Sequence, residues 1–223
     1  MTVVRRMTVC VLILAAGGTA VALLAPAGWG SPAVIMVTDG HSARTYQEVV
    51  AAVADTPGWL SALAAHLPAL GLLVLLLLLA WTGWTGWRQH TPRGVGALLV
   101  LAGTVLAYGL SEALKLVVDQ GRPCRAFGEL TIWEHCPPVG DLSFPSNHST
   151  VAGALATGLV LLAPRLALVA VPTAVVVAAM RVVAGVHYPH DVLAGLLLGA
   201  TITAALLVAL APRNRTDGGR YWV

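Results

Sequence analysis

A short polar segment between two apolar stretches, residues 180–191 with the sequence MRVVAGVHYPHD, concentrates residue types that could do chemistry. His187 and Asp191 stand four positions apart, and Pro189 between them favours the first turn of a helix, where its missing N–H costs nothing. Asp191 could then reach back to one ring nitrogen of His187. A carboxylate on one nitrogen fixes the tautomer and leaves the other nitrogen free as a nucleophile or base.

The segment EALKLVVDQGRP ends an earlier apolar stretch with two more ionisable residues. Glu112 and Lys115 are three positions apart and share one helical face. Ionisable side chains beside such a stretch usually face a cavity or each other. We therefore interpret Glu112 as the partner that keeps Lys115 charged.

The segment LSFPSNHST opens a further apolar stretch. Ser146 is predicted to cap the helix, so that the amides of Asn147, His148 and Ser149 form a helix start that attracts anions. A capping serine or a single histidine is structural in most proteins. Their coincidence with the two other polar segments is what indicates a site.

Taken together, these segments could supply three fixed cations, a hydroxyl group and two helix N-termini: Lys115, Arg122, Arg181, Ser146, and the helices that begin near 147 and 189. Such a set suits a phosphoryl group, whose oxygens carry the charge that is redistributed in the transition state. Two histidines could then divide the work, one attacking phosphorus and the other protonating the departing oxygen.

The elements that position these residues are predicted to be membrane helices. Mean hydropathy is +0.81, while hydrophobic residues make up 57% and charged residues 10% of the 223 residues. This composition is typical of a polytopic membrane protein and not of a soluble domain. The sequence has no basic run of the kind that binds nucleic acid. Six apolar stretches have roughly the length that crosses a ~30 Å core: 7–25, 59–81, 95–117, 148–163, 166–183 and 192–211.

Two details complete the predicted all-α bundle, which forms one membrane domain over residues 1–223. The fourth and fifth stretches are expected to form a helical hairpin. The polar region 31–57 is expected to contain an interfacial helix that begins with a capping box at Thr45 and Glu48. The apolar side of this helix would lie on the outer leaflet.

The distribution of basic residues predicts the orientation. With both termini in the cytoplasm, including the tail 212–223, eight basic residues face inward and five face outward, as the positive-inside rule requires. The polar segments then lie on the extracytoplasmic side of the plasma membrane. One alternative stays open, that the first apolar stretch is a cleaved signal peptide.

Three further patterns carry weaker expectations. Cys124 and Cys136 close a short loop and could form a disulfide outside the cytoplasm. His135 beside them lacks the ligand spacing of a zinc site, so we expect neither a metal nor another cofactor. Gly195 and Gly199 form a GxxxG pattern, which fits close helix packing within the chain or in a homo-oligomer.

The three polar segments resemble the motifs of the type 2 phosphatidic acid phosphatase family of membrane lipid phosphatases. KLVVDQGRP matches the family motif KxxxxxxRP, PSNH matches PSGH, and RVVAGVHYPHD matches SRxxxxxHxxxD. The matched regions are 115–123, 144–149 and 180–191. Two positions depart from the pattern, because Asn147 replaces a glycine and Met180 replaces a serine.

The resemblance implies a metal-independent phosphatase that acts through a phosphohistidine. His187 would be the nucleophile, Asp191 its orienting carboxylate, and His148 the acid for the leaving group. The phosphate would be held by Lys115, Arg122, Ser146, Arg181 and the amides of Asn147 and His148.

The expected substrate is a lipid phosphate within the bilayer, favouring a polyprenyl diphosphate or a polyprenyl-phosphosugar phosphate. Phosphatidic acid or phosphatidylglycerol phosphate is the alternative substrate. Headgroup transfer by the same chemistry and lipid transport are the other functions considered. A transporter should spread its charges through the midplane, whereas these charges cluster at helix ends.

Overall fold

The computed structural model describes residues 2–27 and 33–211. Within them the chain is helical, and its one β-type contact is an isolated bridge between Ile35 and Gln120. The helices are α1 (Val3–Leu24), α2 (Gly40–Ala52), α3 (Gly58–Ala64), α4 (Leu67–Arg88), α5 (Arg93–Val118), α6 (Pro123–Ala126), α7 (Asn147–Leu162), α8 (Ala167–Val183) and α9 (Pro189–Leu210). The all-α prediction is therefore confirmed. The predicted tail 212–223 lies outside the described residues.

Five segments of the described chain are long and apolar enough to cross a membrane: α1, the α3–α4 pair, α5, α8 with the turn before it, and α9. The sixth apolar helix, α7, has only 16 residues. A 3₁₀ turn at Pro164–Leu166 separates α7 from α8, and the two helices pack against each other. The hairpin prediction is thus confirmed.

The core is arranged around α9, which packs against α1, α5, α7 and α8. The contact between α7 and α9 is the most extensive. The two backbones approach closely because glycines, which have no side chain, lie along this contact. A Cβ at Gly153 would lie 2.3 Å from the carbonyl oxygen of Leu196, and a Cβ at Gly199 would lie 2.0 Å from that of Thr150. The GxxxG pattern of the sequence therefore serves packing within the chain.

Helix α2 begins earlier than the sequence indicated. Its N-terminal cap position is Asp39, so Thr45 lies inside the helix and the predicted capping box at Thr45 and Glu48 is wrong. The buried face carries Ala43, Tyr46 and Val50, and it packs against α8 and α9. Of the apolar side that was expected to rest on lipid, protein buries Val50, while Val49 and Val53 stay partly exposed.

Candidate active site

His187 and Asp191 form the buried centre of the site. His187 lies in the turn between α8 and α9 and is 2% exposed, while Asp191 is 0% exposed. Because Pro189 begins α9, Asp191 falls in the first helical turn, with Oδ2 at 3.4 Å from Nδ1 of His187. The backbone N–H of Tyr188 donates to the same oxygen over 2.8 Å. The carboxylate is thus fixed beside the imidazole.

Two side chains that the sequence analysis did not single out also donate to Asp191. Gln120 donates from Nε2 to Oδ1 over 3.0 Å, and the hydroxyl of Ser143 donates to Oδ2. Nε2 of His190 lies 3.2 Å from Oδ1. A fully buried carboxylate requires such partners. Only their positions in the sequence could have indicated these two residues, because Gln120 lies inside the first motif and Ser143 directly precedes the second.

The other ring nitrogen of His187 accepts a hydrogen bond from Arg122. Nη1 of Arg122 lies 2.7 Å from Nε2 of His187, and a guanidinium can only donate. Nε2 therefore carries a lone pair, and the ring proton sits on Nδ1, facing Asp191. Burial lowers the pKa of His187 to about 3; the charges of Arg122 and Arg181 also lower it, and these effects outweigh the hydrogen bond to Asp191. The imidazole is neutral at physiological pH.

Arg122 and Lys115, both buried, share one carboxylate. Oδ1 of Asp141 lies 2.8 Å from Nη2 of Arg122 and 3.8 Å from Nζ of Lys115. Burial raises the pKa of Asp141, but the hydrogen bond and charge of Arg122, with the charge of Lys115, lower the pKa below its usual value. Lys115 also pairs with Glu112 over 2.8 Å, the arrangement expected from their spacing.

Arg181 is the third buried cation, at 8% exposure near the end of α8. Its Nη1 pairs with Glu134 over 2.7 Å. Its Nε is buried and finds no hydrogen-bond partner among the residues that the structure describes. Arg181 therefore retains an unused donor that a ligand oxygen could satisfy.

The second motif forms the start of α7 beside the third motif. Ser146 occupies the predicted cap position, and its backbone N–H donates to the carbonyl of Asp191 over 3.1 Å. Its hydroxyl makes no capping bond, however, and accepts from Ser149 over 3.3 Å instead. The hydroxyl of Ser146 thus does not have the predicted capping role.

His148 is partly buried at the start of α7, and the charges of Arg181, Arg122 and Lys115 all act on its imidazole. None of the residues within 2–27 and 33–211 forms a hydrogen bond with the His148 side chain. This histidine therefore has a free ring beside three cations, whose charge opposes its protonation until a bound anion offsets that charge.

Asn147 directs its side chain to α5. Its amide donates to Oε1 of Glu112 over 2.6 Å and accepts from the hydroxyl of Ser111 over 2.8 Å. Because Glu112 also pairs with Lys115, the residue that departs from the family motif joins α7 to the first cation. Only the backbone N–H of Asn147 is left for a phosphate.

The loop between α6 and α7 borders the site, since its Asp141 and Glu134 pair with Arg122 and Arg181. Cys124 and Cys136 are joined by a disulfide with Cα atoms 5.9 Å apart. Trp133 in this loop donates to the carbonyl of Val53 over 3.1 Å, beyond the end of α2. Helix α2 in turn contacts the α8–α9 turn, since the Tyr46 hydroxyl donates to the carbonyl of Gly185 over 2.9 Å. Loop and helix together hold the turn that carries His187.

The described residues contain no group of three or more His, Cys, Asp or Glu side chains placed to hold a metal ion. The charged groups that face one another in this part of the molecule are those of Lys115, Arg122, Arg181 and their carboxylate partners. The arrangement joins three buried cations to a neutral imidazole whose Nε2 lone pair is engaged only by the guanidinium of Arg122. Such a site can bind an anion and attack it.

Comparison with known proteins gives a consistent result. Residues 96–215 match the PAP2 superfamily, which agrees with the motif resemblance. An undecaprenyl-diphosphatase of Sulfolobus acidocaldarius is 37% identical over 112 residues, which is 50% of this chain and 53% of that protein. A lipid A 1-phosphatase of Rhizobium johnstonii is 35% identical over 121 residues, or 52% of this chain and 48% of that protein.

A decaprenylphosphoryl-5-phosphoribose phosphatase of Mycobacterium tuberculosis is 37% identical over 116 residues, covering 48% of this chain and 57% of that protein. The chain thus spans about half the length of the curated relatives it matches. A crystal structure of a transmembrane PAP2-type phosphatidylglycerolphosphate phosphatase from Bacillus subtilis has a TM-score of 0.56 at 22% identity. The structural match covers 88% of this chain and 93% of the Bacillus subtilis chain. The two proteins therefore share a fold, that of a multi-pass membrane protein.

Proposed function

The chain belongs to the PAP2 superfamily, and from this premise we propose that it is a lipid phosphate phosphatase that works through a phosphohistidine at His187. One observation carries the proposal. The Arg122 side chain reaches from Nε2 of His187 to the carboxylate of Asp141, which also lies against Lys115. The nucleophile and two cations therefore meet at one position that an anionic group can fill.

In the proposed first step, the phosphate oxygens take over the donors of Lys115, Arg122 and Arg181, and Nε2 of His187 attacks phosphorus. A P–N bond forms as the P–O bond to the lipid breaks. Asp191 stabilises the positive imidazole through Nδ1–H. His148, protonated in the bound complex, gives its proton to the departing oxygen.

In the second step, His148 accepts a proton from water as the water oxygen attacks phosphorus. The P–N bond breaks, inorganic phosphate leaves, and His187 returns to its neutral form. The amides of Asn147 and His148 at the start of α7 and the hydroxyl of Ser146 add hydrogen bonds to the phosphate oxygens.

For the substrate, we favour a polyprenyl diphosphate or polyprenyl-phosphosugar phosphate. Two of the relatives that support this choice have names that specify polyprenyl carriers. Phosphatidic acid or phosphatidylglycerol phosphate is the second candidate, which the name of the structural relative favours. Headgroup transfer would result if an alcohol replaced water in the second step.

We further propose that α7 is the sixth membrane span, that residues 1–223 form one membrane domain, and that both termini face the cytoplasm. The site then opens to the outer face of the plasma membrane, with α2 at the interface. The disulfide between Cys124 and Cys136 supports this side, because disulfides persist in oxidising compartments. The excess of arginine in the opposite segments supports it independently.

The purified protein should be screened for phosphate release from polyprenyl diphosphate, polyprenyl monophosphate, phosphatidic acid and phosphatidylglycerol phosphate. We expect turnover of at least one of them, and none from His187→Ala. Adding an alcohol acceptor separates hydrolysis from transfer, because transfer yields a new phosphoester. Turnover by purified His187→Ala would refute the nucleophile assignment, and inactivity on every lipid phosphate would refute the proposed class.

A further inference from the structure

Two acidic residues of the loop between α6 and α7 form ion pairs with arginines that are proposed to bind phosphate. Asp141 pairs with Arg122 at 2.8 Å, and Glu134 pairs with Arg181 at 2.7 Å. Neither acid belongs to the recognised motifs, and neither contributes a proton or a nucleophile to the proposed reaction. Their role therefore needs a separate explanation.

The position of Asp141 resembles that of a bound phosphate oxygen. One of its oxygens, Oδ1, lies 2.8 Å from Nη2 of Arg122 and 3.8 Å from Nζ of Lys115. An oxygen of a phosphate that contacts both cations must take the same place. Carboxylates and phosphates also bind the guanidinium fork in the same manner. The acid and the ligand consequently exclude each other.

Both acids can leave their partners for water at low cost. The side chain of Asp141 is 44% exposed and that of Glu134 is 24% exposed, whereas the side chains of Arg122 and Arg181 are 6% and 10% exposed. The cations are fixed and buried, while the anions sit on the solvent side. An incoming anion therefore replaces the carboxylates, and the cations stay in place.

On the basis of the proposed function, we infer that Glu134 and Asp141 are built-in competitors that keep the phosphodiester headgroups of the bilayer out of the site. Tethered carboxylates act at high effective concentration and weaken the binding of every anion by a similar factor. A phosphodiester carries one negative charge, no more than the carboxylate it must displace. A terminal phosphate reaches nearly two negative charges and offers three oxygens, so it still binds.

The selected substrate class is therefore a lipid with a terminal phosphate or diphosphate, chosen in the presence of excess diester lipid. Without the two acids, Arg122 and Arg181 would face a membrane rich in monoanionic headgroups, and only Lys115 would keep a carboxylate partner, Glu112. Weak binders at high abundance would then fill the site. The competitors set a minimum affinity that only terminal phosphates exceed.

The test uses the full-length protein in detergent at pH 8, with inorganic phosphate and dimethyl phosphate as soluble probes. Dissociation constants come from the thermal shift that each probe produces. Asp141→Asn and Glu134→Gln keep the shape of the side chain and remove its charge. We expect each variant to bind both probes about tenfold more tightly, since each removes one charge-assisted competitor. Glu129→Gln is the control, an exposed acid in the same loop that is in none of the ion pairs among the described residues.

A second measurement follows hydrolysis of the best lipid substrate while phosphatidylglycerol is added to the micelles. The wild type and Glu129→Gln should keep their rates, and Asp141→Asn should be inhibited. Equal or weaker phosphate binding by both Asp141→Asn and Glu134→Gln would overturn the inference and leave the phosphatase proposal intact. A wild-type protein that binds no phosphate would instead count against the proposed function itself.

Discussion

The guanidinium of Arg122 and the imidazole of His187 are joined by a 2.7 Å hydrogen bond from Nη1 to Nε2. Arg122, which is proposed to bind phosphate, therefore also blocks Nε2 of His187, the atom proposed to attack phosphorus. Nη1 of Arg122 additionally donates to the carbonyl of Val186 over 3.0 Å, and its Nε donates to the carbonyl of Asp141 over 3.0 Å. In the proposed reaction, phosphate oxygens take over Nη1 and Nη2, and the lone pair of His187 becomes free. Arg122 would thus couple substrate binding to exposure of the proposed nucleophile.

Replacing Arg122 by Lys should lower kcat/KM at least ~100-fold, although the positive charge is kept. A lysine cannot reproduce the planar fork that meets His187 and Asp141 together, and each lost charge-assisted hydrogen bond contributes about 1.5–3 kcal/mol. Phosphate release under initial-rate conditions measures the effect. Arg44→Lys, at an exposed position on α2, is the matched control and should keep wild-type kinetics. A fully active Arg122→Lys enzyme would rule out the proposed grip on phosphate.

Replacing Ser143 by Ala should reduce kcat about tenfold and leave KM nearly unchanged. Its hydroxyl donates to Oδ2 of Asp191, the oxygen that faces Nδ1 of His187, so its loss should loosen the carboxylate that is proposed to orient His187. Ser143→Thr, which keeps the hydroxyl, should recover part of the rate. Ser61→Ala serves as control, because Ser61 lies in α3, a helix without buried residues. A change confined to KM would show that Ser143 acts on substrate binding and not through Asp191.

Acidification should destabilise the protein through His187. Its pKa is about 3 when folded, against an ordinary value of 6.5. Below pH 6.5 the unfolded chain therefore binds a proton that the folded protein does not, and stability falls until the pH reaches the folded pKa. The slope contributed by this group is at most about 1.4 kcal/mol per pH unit. Above pH 6.5 its contribution is constant.

The measurement for this pH effect is the unfolding temperature in detergent from pH 7.5 to pH 4. His187→Gln removes the titrating ring, so the variant should lose less stability than the wild type over this interval. The difference between the two curves isolates His187 from the other acids. Parallel curves would mean that His187 titrates alike in the folded and unfolded states.

Adding a methyl group at Gly199 should lower the unfolding temperature of the protein. The new Cβ would lie 2.0 Å from the carbonyl oxygen of Thr150 and 2.6 Å from the amide of Ala154, both backbone atoms of α7. The two helices must move apart, at a cost of about 1–3 kcal/mol. Gly109→Ala is the control, since a Cβ there meets nothing within 4 Å and alanine favours the helix. Equal stability of the two variants would contradict the close α7–α9 contact.

Activity should survive treatment with EDTA. The positive charge at the site comes from Lys115, Arg122 and Arg181, which chelators do not remove. Rates before and after dialysis against EDTA provide the comparison, with zinc and magnesium added back. Loss of turnover that either metal restores would contradict metal independence.

The sequence predicted the helices well because apolar length and terminal signals are local properties. Pro189 marks the start of α9, and the apolar stretch 95–117 lies within two residues of α5 at its start and one at its end. The close approach of His187 and Asp191 followed from the predicted helix start at Pro189, which places Asp191 in the first turn, just after His187. Such features depend on few residues that are neighbours along the chain.

The loop residues could not be found in the same way. Glu134 and Asp141 meet Arg181 and Arg122 across separations of 47 and 19 residues, and no periodic pattern marks them. The error at Thr45 has a related cause. A plausible capping sequence inside α2 was outweighed by packing of Tyr46 against α8 and α9, which extends the helix back to Gly40. Tertiary contacts decided both cases.

The length of α7 has a consequence for how a lipid meets the enzyme. Its 16 residues rise only ~24 Å, less than the ~30 Å thickness of bilayer hydrocarbon. If α7 spans the bilayer as proposed and its far end is level with its neighbours, its first turn, which carries His148, lies several ångströms beneath the headgroup plane. The phosphate of a long-chain substrate would then reach the site by moving down into the membrane, and the hydrocarbon tail would stay in contact with the surrounding lipid.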